Sequence, residues 1–191
     1  MVVSHNLKFI FIHIHRTGGT TITNLLRQEL GNKLEFFTQH GNTATSEKEI
    51  LDKHADYFTF GFVRNPWERM LSWYSLLNKN NSDTIDQTRQ KFQDFLELDQ
   101  AFGIGDSYFH YNQLDYFPVL DDSNVGIKIY RYEKFEEETH KLFDHLGFKL
   151  NEIPVMNPTK PKVYQEFYTA KSKELVAQKC KKDIAYFEYS F

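Results

Sequence analysis

The chain has 191 residues, of which 16% are aromatic and 26% are charged, and its formal net charge is −3. The length predicts one domain over residues 1–191 with a large core, and the aromatic content excludes a disordered polymer. The slight acidic excess argues against a nucleic-acid partner, because proteins that bind a duplex carry a basic excess. The single cysteine, Cys180, excludes an intrachain disulfide and a cysteine-rich zinc site, and we expect an inert thiol on a C-terminal helix.

The first predicted strand covers about Leu7 to Ile14 and is far too short to span a bilayer. No small-residue cleavage site follows it, so we expect a cytoplasmic protein with no secretory signal and no transmembrane segment. A helix from about Thr20 to Leu30 follows, with apolar residues at helical spacing and Gly31 as its stop.

The second strand, Tyr57 to Val63, is almost entirely apolar, which is typical of a strand covered on both faces. The pair Asn65-Pro66 predicts a helix that starts within two residues, because asparagine favours the N-cap position and proline the first helical position. Further helices are predicted at about 84–102, 133–147 and 171–187, and a third strand at 125–130.

The alternation of strands and helices predicts an α/β fold with a mainly parallel sheet flanked by helices. In such sheets, ligands bind at the carboxyl ends of the strands. We therefore expect the turns that follow the first two strands to lie at the same edge of one crevice.

The first turn reads Arg16-Thr17-Gly18-Gly19-Thr20-Thr21 and predicts a phosphate-binding site. Glycines let an anion approach the backbone, the start of the helix presents N–H groups, threonine hydroxyls add donors, and the guanidinium adds a charged fork. The alternative is an ordinary strand–helix turn with an exposed arginine. The usual nucleotide P-loop is excluded, because no Gly-Lys pair occurs in the chain.

The second turn carries Arg64 at the end of its strand and Ser72 two turns into the next helix. A second anion fits between the Arg64 guanidinium and the Ser72 hydroxyl. The alternative is that Arg64 and Arg69 are solvated or pair with Glu68.

The two turns together resemble those of the PAPS-dependent sulfotransferases, in particular the carbohydrate O-sulfotransferases and their soluble bacterial relatives. The first turn of that family reads His-Ile-Pro-Lys-Thr-Gly-Gly-Thr-Ser, and residues 13–21 here read His-Ile-His-Arg-Thr-Gly-Gly-Thr-Thr. The second begins Val-Arg-Asn-Pro and is matched by "FVRNPWERMLSWY", residues 62–74. The likeness continues through "HYNQLDYF" and "RYEKFEEE" to the last helix, and so covers nearly the whole chain.

This resemblance implies a P-loop-like sulfotransferase fold. It also implies transfer of a sulfuryl group, without a metal, from PAPS (3′-phosphoadenosine 5′-phosphosulfate) to an acceptor hydroxyl on a saccharide or small molecule. The first turn would bind the 5′-phosphosulfate, Arg64 and Ser72 the 3′-phosphate, and Lys160 in "NPTKPK" is a weaker nucleotide contact. In this chain Arg16 replaces the family's lysine. It keeps the charge that stabilises a leaving group, but it cannot donate a proton at neutral pH.

A base must take the proton of the acceptor, and histidine suits this role best. His40, in "TQHGNTAT", stands where relatives place a histidine between the two turns, so the resemblance makes it the catalytic base. His110, in "SYFHYNQ", is the second candidate for the base, and His110 and Gln113 are also candidates for contact with the acceptor. His15, which replaces the family's proline, is a candidate for a structural role.

Two other functions stay open: an atypical nucleotide kinase, which would need Mg²⁺ and an acidic ligand near the first turn, and a module that binds PAP without catalysis. Some aromatic residues could stack on sugar rings, although aromatic residues on helices more often belong to the core. They are Trp67, Trp73, Tyr74, Phe109 and Tyr111.

Overall fold

The computed structural model describes residues 1–37, 46–79, 82–99, 109–118, 126–154 and 163–191. Two predicted site residues, His40 and Lys160, lie outside these ranges. The chain divides into two compact units, the first formed by Met1–Val63 and Asp115–Pro158 and the second by Arg64–Leu114 and Thr159–Phe191. That these units form one domain stays a prediction.

The first unit contains a five-stranded sheet with the strand order β3-β1-β2-β4-β5. The strands are β1 (Val2–Ser4), β2 (Phe9–Ile12), β3 (Glu35–Phe36), β4 (Phe58–Val63) and β5 (Ile127–Arg131). Strands β2, β4 and β5 are parallel, whereas β1 pairs antiparallel with both β2 and β3. The α/β fold with parallel strands at its centre is therefore confirmed. Strands β1 and β3 were not predicted, because three and two residues are too few to show an alternating pattern.

Seven α-helices lie within the described residues. They are α1 (Gly19–Leu30), α2 (Ser46–Lys53) and α5 (Phe135–His145) in the first unit, and α3 (Pro66–Leu77), α4 (Ile85–Glu97), α6 (Ala170–Lys179) and α7 (Lys181–Phe187) in the second. None of these helices is long and apolar enough to cross a membrane.

The core of the first unit lies between one face of the sheet and helices α1 and α5. Alternate residues of a strand point to the same face, and the Phe11 and Phe60 rings stack there with 5.2 Å between their centroids. The helices contribute Ile22, Leu25, Leu26, Leu142 and Phe143. Residues 60–63 of β4 are all buried, which confirms a strand covered on both faces.

Two helix predictions are wrong in part. The helix predicted at 171–187 is two helices, because the backbone at Cys180 (φ −105°, ψ 25°) leaves the helical region between α6 and α7. Helix α4 ends at Glu97 rather than near 102, and Asp99 follows with a φ of 56° that an α-helix does not accommodate.

Candidate functional site

The first turn joins β2 to α1 through two residues with left-handed backbones, Arg16 (φ 66°) and Gly18 (φ 83°). A non-glycine residue in that region costs about 1–3 kcal/mol and persists where the surroundings or function impose it. The N–H groups of Thr21 and Ile22 donate to the Gly18 carbonyl at 3.0 and 3.3 Å. Helix α1 therefore begins directly at the turn, and the positive end of its dipole faces the turn residues.

Both glycines of the turn are required by packing. A Cβ at Gly18 would lie 2.3 Å from a ring carbon of Phe135, and one at Gly19 would lie 1.9 Å from Cδ2 of His13. Neither distance allows a side chain, and the His13 ring is itself buried and stacked on Phe11. The Gly-Gly pair thus has a structural reason that is independent of any ligand.

Two further buried side chains stabilise the turn through hydrogen bonds. The Thr17 hydroxyl, 1% exposed, donates to the Ile14 carbonyl at 3.0 Å. The His15 ring is also buried, and its Nδ1 lies 3.1 Å from the hydroxyl of buried Tyr116. In contrast, Thr20 is exposed and Arg16 is half-buried. The donor-binding roles predicted for residues 16–21 stay predictions.

A pocket of about 340 Å³ lies next to the first turn, entirely within the first unit. Four residues of α1 form its polar wall. The last three lie three, four and seven positions after the first, so all four share one face of the helix. The lining residues are Thr20, Thr23, Asn24 and Arg27 from this helix, with Val2, His13, Phe36 and Phe37. The Arg27 guanidinium lies 4.3 Å from the centroid of the Phe36 ring. The pocket thus combines a cation, an amide and hydroxyls with two partly exposed aromatic rings.

In the second turn, both the backbone and the side chain of Arg64 are fixed by neighbouring residues. The Arg64 N–H donates to Gln113 Oε1, and Gln113 Nε2 donates to the Arg64 carbonyl, each at 2.8 Å. The guanidinium Nη2 pairs with a Glu68 carboxylate oxygen at 2.7 Å. Pairing with Glu68, one of the alternatives for Arg64, is therefore present, and it holds the guanidinium along the first turn of α3.

The N-cap predicted for α3 is confirmed. The Asn65 side-chain oxygen accepts hydrogen bonds from the N–H groups of Trp67 and Glu68. The Asn65 Nδ2 donates to the Ser190 carbonyl at 2.8 Å, so the cap is also fixed by the last residues of the second unit. Ser72 is half-buried on α3, and its contact with an anion stays a prediction.

Gln113 is fully buried and is held by Asp183 of α7. Asp183 Oδ2 accepts from the backbone N–H and Nε2 of Gln113, at 2.7 and 3.0 Å, and Oδ1 accepts from the Leu114 N–H at 3.0 Å. Burial raises the pKa of the Asp183 carboxyl, and these hydrogen bonds oppose that rise. Contact of Gln113 with the acceptor is untested, and the described contacts give its amide a different role.

The sequence did not single out Arg69 as a buried residue. Its side chain is fully buried, so it is not solvated as one alternative held. Its Nη1 donates to the carbonyls of His110 and Tyr111, and its Nη2 to that of His110, all at 3.0 Å. The guanidinium also lies 4.3 Å from the centroid of the Phe109 ring. Arg69 therefore fixes the backbone around His110.

We expect Arg69→Ala to lower the free energy of unfolding by about 3–6 kcal/mol, because two carbonyls lose charged donors worth about 1.5–3 kcal/mol each. Urea titration followed by circular dichroism measures this loss. Lys48→Ala is the control, since Lys48 pairs with Asp52 on the surface of α2 and an exposed ion pair contributes less than about 1 kcal/mol. Equal losses for the two variants would contradict a structural role for Arg69.

The aromatic residues considered for sugar stacking belong to the core. Trp67, Trp73, Tyr74, Phe109 and Tyr111 are all at most 9% exposed. Cys180 is fully buried, and burial raises the pKa of its thiol to about 12, as expected for an inert cysteine. Within the described ranges, no three His, Cys, Asp or Glu side chains form a group that could hold a metal ion.

The chain was also compared with known proteins. A family model described as the sulfotransferase family matches residues 1–190. Neither the comparison with curated proteins nor that with solved structures found a match. The family match covers both turns, the five strands of the sheet and the described helices of both units. The chain therefore belongs to the sulfotransferase family, whose chemistry is the transfer of a sulfuryl group.

Proposed function

We propose that this protein transfers a sulfuryl group from PAPS to the hydroxyl of an acceptor. The observation that carries the proposal is the position of Arg16, a strained cationic residue two positions before Gly18 and three before the start of α1. A charged fork beside a helix N-terminus suits the 5′-phosphosulfate of the donor. The exposed Thr20 hydroxyl adds an uncharged donor at the start of α1.

The proposed reaction is an in-line displacement. The acceptor oxygen forms a bond to sulfur, the bond from sulfur to the 5′-phosphate oxygen breaks, and a base takes the hydroxyl proton. The Arg16 guanidinium stabilises the negative charge that grows on the departing phosphate, and the turn positions the donor. His40 is the proposed base, on the strength of its place in the sequence.

The second turn is proposed to bind the 3′-phosphate of the donor through Arg64 and the Ser72 hydroxyl. The Arg64 backbone is fixed by Gln113 and its guanidinium by Glu68, so little side-chain entropy remains to be lost on binding. Lys160 is proposed as an additional contact to the nucleotide.

The acceptor is proposed to be a saccharide that enters the pocket next to the first turn. The exposed rings of Phe36 and Phe37 offer stacking surfaces, while Thr20, Asn24 and Arg27 offer hydrogen-bonding groups. Such a mixture of aromatic and polar groups suits a polyhydroxylated ring. His110, on the second unit, stays a candidate acceptor contact.

A thermal-shift comparison of nucleotides tests the donor assignment. PAP should raise the melting temperature, because a ligand that binds only the folded state stabilises it by mass action. AMP lacks the 3′-phosphate and should raise it far less at the same concentration. ATP and ADP, each with Mg²⁺, should also fall short of PAP. Equal stabilisation by AMP would remove Arg64 and Ser72 from their role, and a larger effect of ATP with Mg²⁺ would favour a kinase.

A further inference from the structure

We infer that Gln113 and Asp183 are positioning residues that give the second turn its selectivity for a 3′-phosphate. This inference rests on the assignment of Arg64 to that phosphate in the proposed function. Neither side chain needs to touch the nucleotide. They would act by fixing the backbone from which the Arg64 guanidinium extends.

First, the Gln113 side chain forms two hydrogen bonds with the backbone of a single residue, Arg64. Its amide accepts from the Arg64 N–H and donates to the Arg64 carbonyl, both at 2.8 Å. The two bonded groups flank the same Cα, so together they restrict both backbone dihedrals of Arg64. Arg64 leads directly into α3, and the N–H groups of that helix start are capped by Asn65.

The second step is the orientation of the Gln113 amide itself. A flipped amide would direct its NH₂ group at the Arg64 N–H and its oxygen at the Asp183 carboxylate. Both contacts would be repulsive, because each pairs two donors or two acceptors. Asp183 Oδ2 accepts from Gln113 Nε2 at 3.0 Å and from its backbone N–H at 2.7 Å. The carboxylate therefore allows only one orientation of the amide.

The third step is burial. Both Gln113 and Asp183 are 0% exposed, so water does not replace a lost contact between them. In surroundings of low dielectric constant, hydrogen bonds to a carboxylate are strong and a missing partner is costly. This network links residues 64, 113 and 183, which are far apart in the chain, into one rigid support inside the second unit.

Titration calorimetry on the full chain tests the inference with PAP and AMP as probes. Gln113→Met keeps the length of the side chain and removes all three of its polar contacts. We expect the ratio of the AMP to the PAP dissociation constant to fall about tenfold, the loss expected for one charged contact that is no longer aligned. The AMP dissociation constant itself should stay within about twofold.

Val176→Ala is the matched control, because it truncates a buried side chain on α6 of the same unit. It should lower stability yet leave the ratio of the AMP to the PAP dissociation constant unchanged. If Gln113 only stabilised the fold, Gln113→Met would also leave the ratio of the AMP to the PAP dissociation constant unchanged. Asp183→Asn is a second variant: its NH₂ group replaces an oxygen that accepts hydrogen bonds, and it should lower the ratio in the same direction.

The outcomes separate the inference from the proposed function. A wild-type protein that binds PAP no better than AMP would overturn the proposed function. A wild-type preference that survives Gln113→Met and Asp183→Asn would overturn only the inference. Failure of both variants to fold, while Val176→Ala folds, would also overturn it, because the network would then serve folding rather than selectivity.

Discussion

Arg16→Ala is expected to lower kcat by about 10²–10³-fold, the usual effect of removing one group that stabilises charge in the transition state. In the proposed reaction, charge on the departing 5′-phosphate grows as its bond to sulfur breaks, so the Arg16 guanidinium should contribute more in the transition state than in the bound ground state. The dissociation constant of PAP should change much less than kcat. Steady-state kinetics with PAPS and calorimetry with PAP measure the two quantities separately.

The backbone of Arg16 provides an internal control. Its φ of 66° is strained for arginine and is readily adopted by glycine. Arg16→Gly should therefore lose the same activity as Arg16→Ala without a fall in melting temperature. Arg16→Lys keeps the positive charge and should retain most of the activity. If Arg16→Ala weakened only the apparent affinity for PAPS and left kcat intact, Arg16 would not be the residue that stabilises the leaving group.

Features that depend on neighbouring residues were predictable from the sequence. The Asn65 cap and the start of α3 at Pro66 follow from the local preferences of asparagine and proline. The parallel pairing of β2 with β4 follows from the alternation of strands and helices. The sequence 13–21 likewise marked the turn that precedes α1.

The supports of the second turn were not predictable, because they depend on partners far apart in the chain. No local pattern distinguishes Asp183, a single acidic residue on a short helix, from a solvated one. The side chain of Arg69 lies in a sequence that is equally compatible with an exposed helix face, and its carbonyl partners are 41 and 42 positions away. Long-range pairs of this kind appear only once the chain is folded.

The glycines of the first turn illustrate how one residue can satisfy two requirements. The sequence suggested that Gly18 and Gly19 let an anion approach the backbone. The contacts of Phe135 and His13 exclude a side chain at these positions in any case. The glycines alone therefore do not argue for phosphate, and the proposal of a donor site rests on Arg16 and the family match.

His40→Ala is expected to give the largest loss, about 10²–10⁴-fold in kcat, which is the usual contribution of a positioned general base. PAP binding should survive, because the proposed phosphate contacts are Arg16, Arg64 and Ser72. Only the neutral imidazole accepts a proton, so wild-type activity should rise with pH through a value near about 6.5, the ordinary histidine pKa. The His40→Ala variant should lose this rise.

His110→Ala is the matched control for that experiment. Arg69 donates to the backbone carbonyl of His110, so an alanine keeps those hydrogen bonds. As an acceptor contact, His110 should mainly affect the acceptor KM, with kcat reduced far less than in His40→Ala. The reverse pattern, in which His110→Ala abolishes turnover and His40→Ala stays active with its pH dependence intact, would transfer the role of base to His110. Loss of PAP binding in His40→Ala would instead assign His40 to the donor site.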